Sequence, residues 1–218
     1  MKENKNPKVS VIIDVFRAFT TAGYVLQQNP EKYIYSTKSC VLKNLALNHV
    51  NSLFIGKNEI GANIKYNIPN SPARVKEINL ANKLVLHRTE AGAKGILNAV
   101  DADIILATSF INAGATVKYI KKLQNPEIEI IPMGHEANKP SIEDDICAEY
   151  IQSLLNNKNF DIAPFEKELK EGPGKYFFLE DQWQYPKEDF KYCLEIDHFN
   201  FPIQARLYGD YALLMRCK

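Results

Sequence analysis

The feature that most constrains this chain is an alternation. Short apolar runs rich in β-branched residues take turns with longer stretches of helical spacing. Residues 9–13, 33–35, 53–55, 83–87, 103–107 and 127–132 read as strands. Between or after them, residues 16–28, 38–49, 90–100, 110–123 and 141–155 read as helices. A strand that feeds a helix of this length and then another strand builds a βαβ unit, whose strands run parallel. The expected fold class is therefore α/β, with a largely parallel or mixed sheet and helices on both faces. That arrangement is compatible with two intertwined subdomains. Residues 1–8 read as a disordered tail and 9–218 as a single α/β domain, whose part from about residue 158 is compatible with a smaller subdomain. A chain of 218 residues is long enough to bury a substantial core.

Two helices have clear apolar stripes. In residues 38–49, Val41, Leu42, Leu45 and Ala46 share a face. In residues 141–155 the stripe is Ile142, Ile146, Tyr150 or Ile151, and Leu154, and Ser141 with Asp144 resembles a capping box. The alternation breaks at residues 56–72, where Gly56, Gly61, Pro69, Asn70 and Pro72 predict a loop. A loop that long inside a compact domain is more often functional than idle. Residues 165–183 are charged and aromatic, are interrupted by Gly172-Pro173-Gly174, and read as surface helices. Residues 192–215 are rich in aromatics and alternate in places.

Composition excludes several classes. The 27 basic and 26 acidic side chains leave a net charge of +1, so a dedicated nucleic-acid binder is not expected. The four cysteines, Cys40, Cys147, Cys193 and Cys217, show no C-x-x-C spacing and read as free thiols of a reducing compartment. No apolar run approaches the length of a membrane span. A cytoplasmic protein is expected, with no membrane or nucleic-acid partner.

In α/β sheets, ligands bind at the carboxyl ends of the strands. Four segments lie there. Asp14 ends the first strand and Arg17 follows it; an acid and a cation at a helix start suit a metal or a phosphate, while helix capping and an Asp14–Arg17 pair are the simpler reading. Asn70 and Ser71 put short polar groups between two prolines, which also describes an ordinary turn. Arg88, Thr89 and Glu90 open the helix that contains Gly92, as an oxyanion site or a solvated helix start would. Glu143, Asp144 and Asp145 open the last long helix, where they suit the macrodipole. Their 100° angular spacing also lets one of them face the strand ends, and Mg²⁺ needs only one or two such carboxylates. Cys147 reads as a packing thiol, and His87 and His135 as acids, bases or satisfied core residues. The single Trp183 reads as packing.

The order of these segments carries a resemblance. Asp14–Thr21 (DVFRAFTT), Asn70-Ser71-Pro72, Arg88–Gly95 (RTEAGAKG), Ser109–Thr116 (SFINAGAT) and Glu143–Ala148 (EDDICA) follow the motif order of the 2-phosphosulfolactate phosphatase family. Asp189–Phe199 (DFKYCLEIDHF) resembles that family's closing D-F-x-x-C-L-x-x-D-x-F. The resemblance implies an α/β fold and a Mg²⁺-dependent phosphatase that converts 2-phospho-3-sulfolactate to 3-sulfolactate and phosphate, on a route to coenzyme M. It implies Asp14, Glu143 and Asp144 as catalytic acids, with Asp14 and Glu143 as Mg²⁺ ligands. Arg17, Asn70, Ser71, Arg88 and Thr89 would bind the substrate's anionic groups. A homodimer is compatible with it. The loop before Asn70 and the residue Glu90 depart from the family pattern. An alternative is therefore a catalytically altered member that binds an anionic metabolite or a partner protein.

Overall fold

The computed structural model describes residues 6–58, 64–134 and 139–217. His135 and residues 61–63 of the loop before Asn70 lie outside the described residues, as does most of the expected tail. The expected alternation is present. Strands β1 (Lys8–Ile13), β2 (Lys32–Ser36), β3 (Ser52–Ile55), β4 (Leu84–Arg88), β5 (Ile104–Thr108) and β6 (Glu127–Pro132) fall on the six apolar runs. Helices α1 (Ala18–Gln27), α2 (Ser39–Ala46), α4 (Ala91–Asn98), α5 (Ala113–Ile120) and α6 (Ile142–Leu155) fall on the five helical stretches. A short helix α3 (Pro72–Lys76) follows Ser71, whose hydroxyl accepts from the Arg74 N–H as its cap. The stretch 165–183 is mostly short turns, with one six-residue helix, α7 (Glu166–Glu171), and a 3-10 turn, Pro173–Phe178. Helix α8 (Lys187–Cys193) follows, then strands β7 (Ile203–Tyr208) and β8 (Tyr211–Arg216).

The eight strands form one mixed sheet in the order β3-β4-β2-β8-β7-β5-β1-β6. β2, β3 and β4 pair in parallel, and so do β5, β1 and β6. The β7–β8 hairpin sits between the two triplets and joins both by antiparallel pairing. Three antiparallel steps in succession reverse direction, so the two parallel triplets run opposite ways along the sheet. Five strand-to-strand steps separate β4 from β1. At about 20–25° of twist per step, their directions turn by a further 100° or so. That rotation lets the carboxyl ends of both triplets converge.

Side-chain alternation divides the core. Val9, Val11 and Ile13 of β1 face one side, with α5 and α6 packed on them; Ile12 faces the other, with α1 and α4. Tyr33, Tyr35 and Val85 belong to that second side, while Ile34, Leu84 and Leu86 pack under α2. The segment expected as surface helices is not all surface. Leu169 and Phe177 are buried against the face that holds Val9, Val11 and Ile13, because the apolar residues of that segment cover a sheet face otherwise left in water. Trp183, read as packing, is instead 52% exposed, with its ring under the Arg74 guanidinium.

Candidate active site

The loops leaving the carboxyl ends of β1, β3, β4 and β6 meet in one pocket of about 680 Å³. Phe16, Arg17, Lys57, Asn70, Arg88, Thr89, Ser141 and Glu143 line it, and the wall opposite comes from Gly172–Tyr185. Asp14 lies behind this wall. Its Oδ1 accepts from the Ala18 N–H at 3.0 Å, so it caps α1 as the simpler reading held. It does not take Arg17 as its ion-pair partner.

Asp14 is shared by two helix starts. Besides Ala18, the Gly92 N–H at the start of α4 points at it. A Cβ on Gly92 would stand 2.9 Å from Asp14 Oδ2 and 3.0 Å from Phe19 Cε1, so only glycine permits this approach. Burial pushes the Asp14 carboxyl up to about 6, and the nearby negative charge of Glu143 adds to that. The two N–H groups and Arg17 pull it part of the way back.

The acids at the start of α6 separate by direction. Asp145 is exposed, and Glu143 and Asp144 are buried. No capping box forms, because the Asp144 carboxylate turns away from Ser141. Its Oδ1 accepts from the Val15 N–H and its Oδ2 from the Gly134 N–H, each at 2.8 Å. Asp144 thereby ties α6 to the ends of β1 and β6. Gly134 has φ +65°, and a side chain there would collide with the Lys139 carbonyl oxygen. Gly134→Ala is accordingly expected to cost roughly 2 kcal/mol or more, read as a lower Tm in thermal unfolding. An unchanged Tm would contradict this placement of the turn.

Arg17 is held by an acid, a backbone carbonyl and two aromatic rings. Its Nη1 donates to Asp189 Oδ2 at 2.6 Å and to the Gln184 carbonyl at 2.8 Å. The guanidinium lies over the rings of Tyr185 and Phe177, at 4.7 and 5.6 Å. The other Asp189 oxygen accepts from Ser71 Oγ and the Ala73 N–H, both at 2.9 Å. Burial raises the Asp189 pKa in spite of the arginine. Ser71, expected to touch substrate, is fully buried against Asp189 and is not in the pocket wall. Asn70, Arg88 and Thr89 are in it. Arg88 pairs with Glu90.

His87 is core, beneath the start of α1. Tyr35 Oη donates to the Ala18 carbonyl at 2.6 Å, and Tyr33 Oη donates to Tyr35 Oη at 3.0 Å. With the Tyr33 proton so used, the 2.7 Å contact to His87 needs a proton on Nδ1. Burial lowers the His87 pKa to about 3, so the ring is neutral. Cys147 is also core, its thiol pushed up by burial.

Lys57, Lys175, Tyr185 and Asp189 were not singled out from the sequence. Asp189 had a usable signal, since it opens the closing motif. Lys57 and Lys175 had none, because an isolated lysine after a glycine is common on any surface.

The donor set can be tested for Mg²⁺. Among the described residues, no group of three or more His, Cys, Asp or Glu is placed to hold a metal. Asp144 has each of its two oxygens engaged by a backbone N–H group. Asp14 and Glu143 remain, a buried pair of like charges. A pair fits Mg²⁺, which keeps several waters and takes further oxygens from a phosphate.

A family model described as 2-phosphosulpholactate phosphatase matches residues 1–205. A Bacillus subtilis protein named "Probable 2-phosphosulfolactate phosphatase" is 27% identical over 215 residues, 95% of this chain and 91% of its own. Proteins of the same name from Thermoplasma volcanium and Carboxydothermus hydrogenoformans are 25% and 31% identical. The first spans 90% of this chain and 88% of its own, the second 70% and 63%.

Proposed function

Because the chain belongs to the 2-phosphosulfolactate phosphatase family, whose members are phosphoric monoester hydrolases, we propose that it releases phosphate from 2-phospho-3-sulfolactate with the help of Mg²⁺. The observation that supports this best is the buried, like-charged pair Asp14 and Glu143, with Glu143 in the wall of a pocket that also holds four basic side chains and Asp14 just behind it.

Asp14 and Glu143 would hold the ion, which supplies charge for the phosphoryl oxygens and a more acidic water. Asp14 is steered by the Ala18 and Gly92 N–H groups, so its carboxylate cannot swing out. Asp144 orients no substrate; it fixes the α6 start that carries Glu143. Arg17 stands in the pocket wall in a clamped position, where its charge would meet charge that develops on phosphorus oxygens. Asn70, Arg88 and Thr89 complete the polar wall. This arrangement suits a monoester that carries further negative charge.

Phosphate release from racemic 2-phospho-3-sulfolactate, measured beside a panel of small phosphate esters, tests the reading. The expected result is release in Mg²⁺ that EDTA abolishes and that exceeds the panel at least tenfold. Release from other esters alone would discard the substrate. Release from none by folded protein would favour the alternative of a binder for anionic metabolites.

A further inference from the structure

The pocket wall holds four basic side chains, Arg17, Lys57, Arg88 and Lys175, and two acidic ones, Glu90 and Glu143. Arg17 is neutralised by Asp189 and Arg88 by Glu90. Lys57 and Lys175 are exposed and carry no ion pair among the described residues. They enter from separate parts of the chain. Lys57 follows β3 and Gly56, whose φ of +149° turns the backbone at that point. Lys175 sits on the Pro173–Phe178 turn, which is anchored from below by buried Phe177. Its Nζ lies 5.4 Å from the Tyr176 ring centroid. Two cations without an ion pair among the described residues thus share a cavity of about 680 Å³, far more room than one phosphate group needs.

We infer that Lys57 and Lys175 form a second-anion subsite, which binds the sulfonate or carboxylate end of the substrate while the Asp14–Glu143 side receives the phosphate. The inference rests on the phosphatase reading for its substrate and adds where selectivity resides. The charge count carries it. Asp14 and Glu143 suit the phosphate end only together with a cation, and Arg17 and Arg88 are already matched by acids. A substrate with an anionic tail therefore finds its countercharge at the two lysines. A lysine ammonium is a hydrated point charge without a fork geometry, so it selects by charge rather than by shape. A neutral-tailed ester would gain nothing there.

The test uses the full-length protein and the ratio of kcat/KM for 2-phospho-3-sulfolactate to that for phenyl phosphate. Lys57→Met and Lys175→Met should each lower this ratio at least about tenfold, mainly through KM for the sulfonated ester. Lys175→Arg, which keeps the charge, should retain most of the ratio. A double Met variant whose ratio stays within twofold of wild type would overturn the subsite. Lys118→Met, on exposed α5 surface, removes the same charge elsewhere. An equal fall in that variant would assign the effect to net charge and would also overturn it. Calorimetric titration with 3-sulfolactate separates this inference from the phosphatase reading, since it needs no turnover. Binding to wild type that weakens at least tenfold in the double variant supports the subsite even if no ester is hydrolysed. Equal affinity, or no binding by wild type, rejects it.

Discussion

Asp14→Asn is expected to lower phosphate release by roughly 10³-fold or more, the scale seen when a group that organises transition-state charge is removed. The substitution preserves size and an acceptor for the Ala18 N–H, so the fold should survive. The same variant has a pH signature. The folded pKa of Asp14, about 6, is above the ordinary 3.8. Between those values the folded protein holds a proton that the unfolded chain has lost. Stability from this group is thus fully present below about pH 3.8 and is lost as pH rises through about 6. Relative to Asp14→Asn, metal-free wild type should gain roughly 2–3 kcal/mol on going from pH 7.5 to pH 4. For a chain of this size that is a Tm difference of about 5–10 °C. Parallel Tm profiles for the two proteins would show that Asp14 is not a buried, repelled carboxylate. Full activity in the variant would remove it from the chemistry.

Asp189→Ala should be the most damaging single change to stability. It leaves the Arg17 guanidinium buried without its anion and strips Ser71 Oγ and the Ala73 N–H of their acceptor. Breaking one side of a buried ion pair costs about 3–5 kcal/mol, enough to lower Tm by roughly 10 °C. Activity should fall with it, because Arg17 is then free to leave the pocket wall. The double variant Arg17→Met, Asp189→Ala separates the two effects. An apolar side chain between Phe177 and Tyr185 fits their rings, so much of the lost Tm should return while activity stays low. If activity returned as well, Arg17 would have no role at the phosphate.

Much of the fold was legible because its signals are local. The six apolar runs became the six strands, and Ile34 and Tyr35 point to opposite faces as a period of two requires. Asp14 and Glu143 were legible because strand ends and helix starts are where such acids gather; Glu143 lines the pocket and Asp14 lies behind it. The C-terminal hairpin was missed although it had a signal. Residues 203–208 alternate, and Gly209-Asp210 is a two-residue turn with Gly209 at φ +64°. The alternation within 192–215 was visible, but it was not resolved into two strands and a turn. The role of Ser71 was misjudged for another reason: a serine beside a proline says nothing about which carboxylate it will meet.

By itself, then, the sequence determined the α/β class, the positions of most elements and the acids at the strand ends, since side-chain periodicity and capping act over a few residues. Tertiary structure alone decided what lies beside what. It set the hairpin between two parallel triplets and so reversed one against the other. It gave Arg17 to Asp189, 172 residues away, rather than to Asp14, three residues away. It turned Asp144 toward backbone N–H groups and left Glu143 in the pocket wall with Asp14 behind it. These choices rest on burial: a charge taken out of water must find its partner among whatever the folded chain places next to it, and sequence distance does not enter that search.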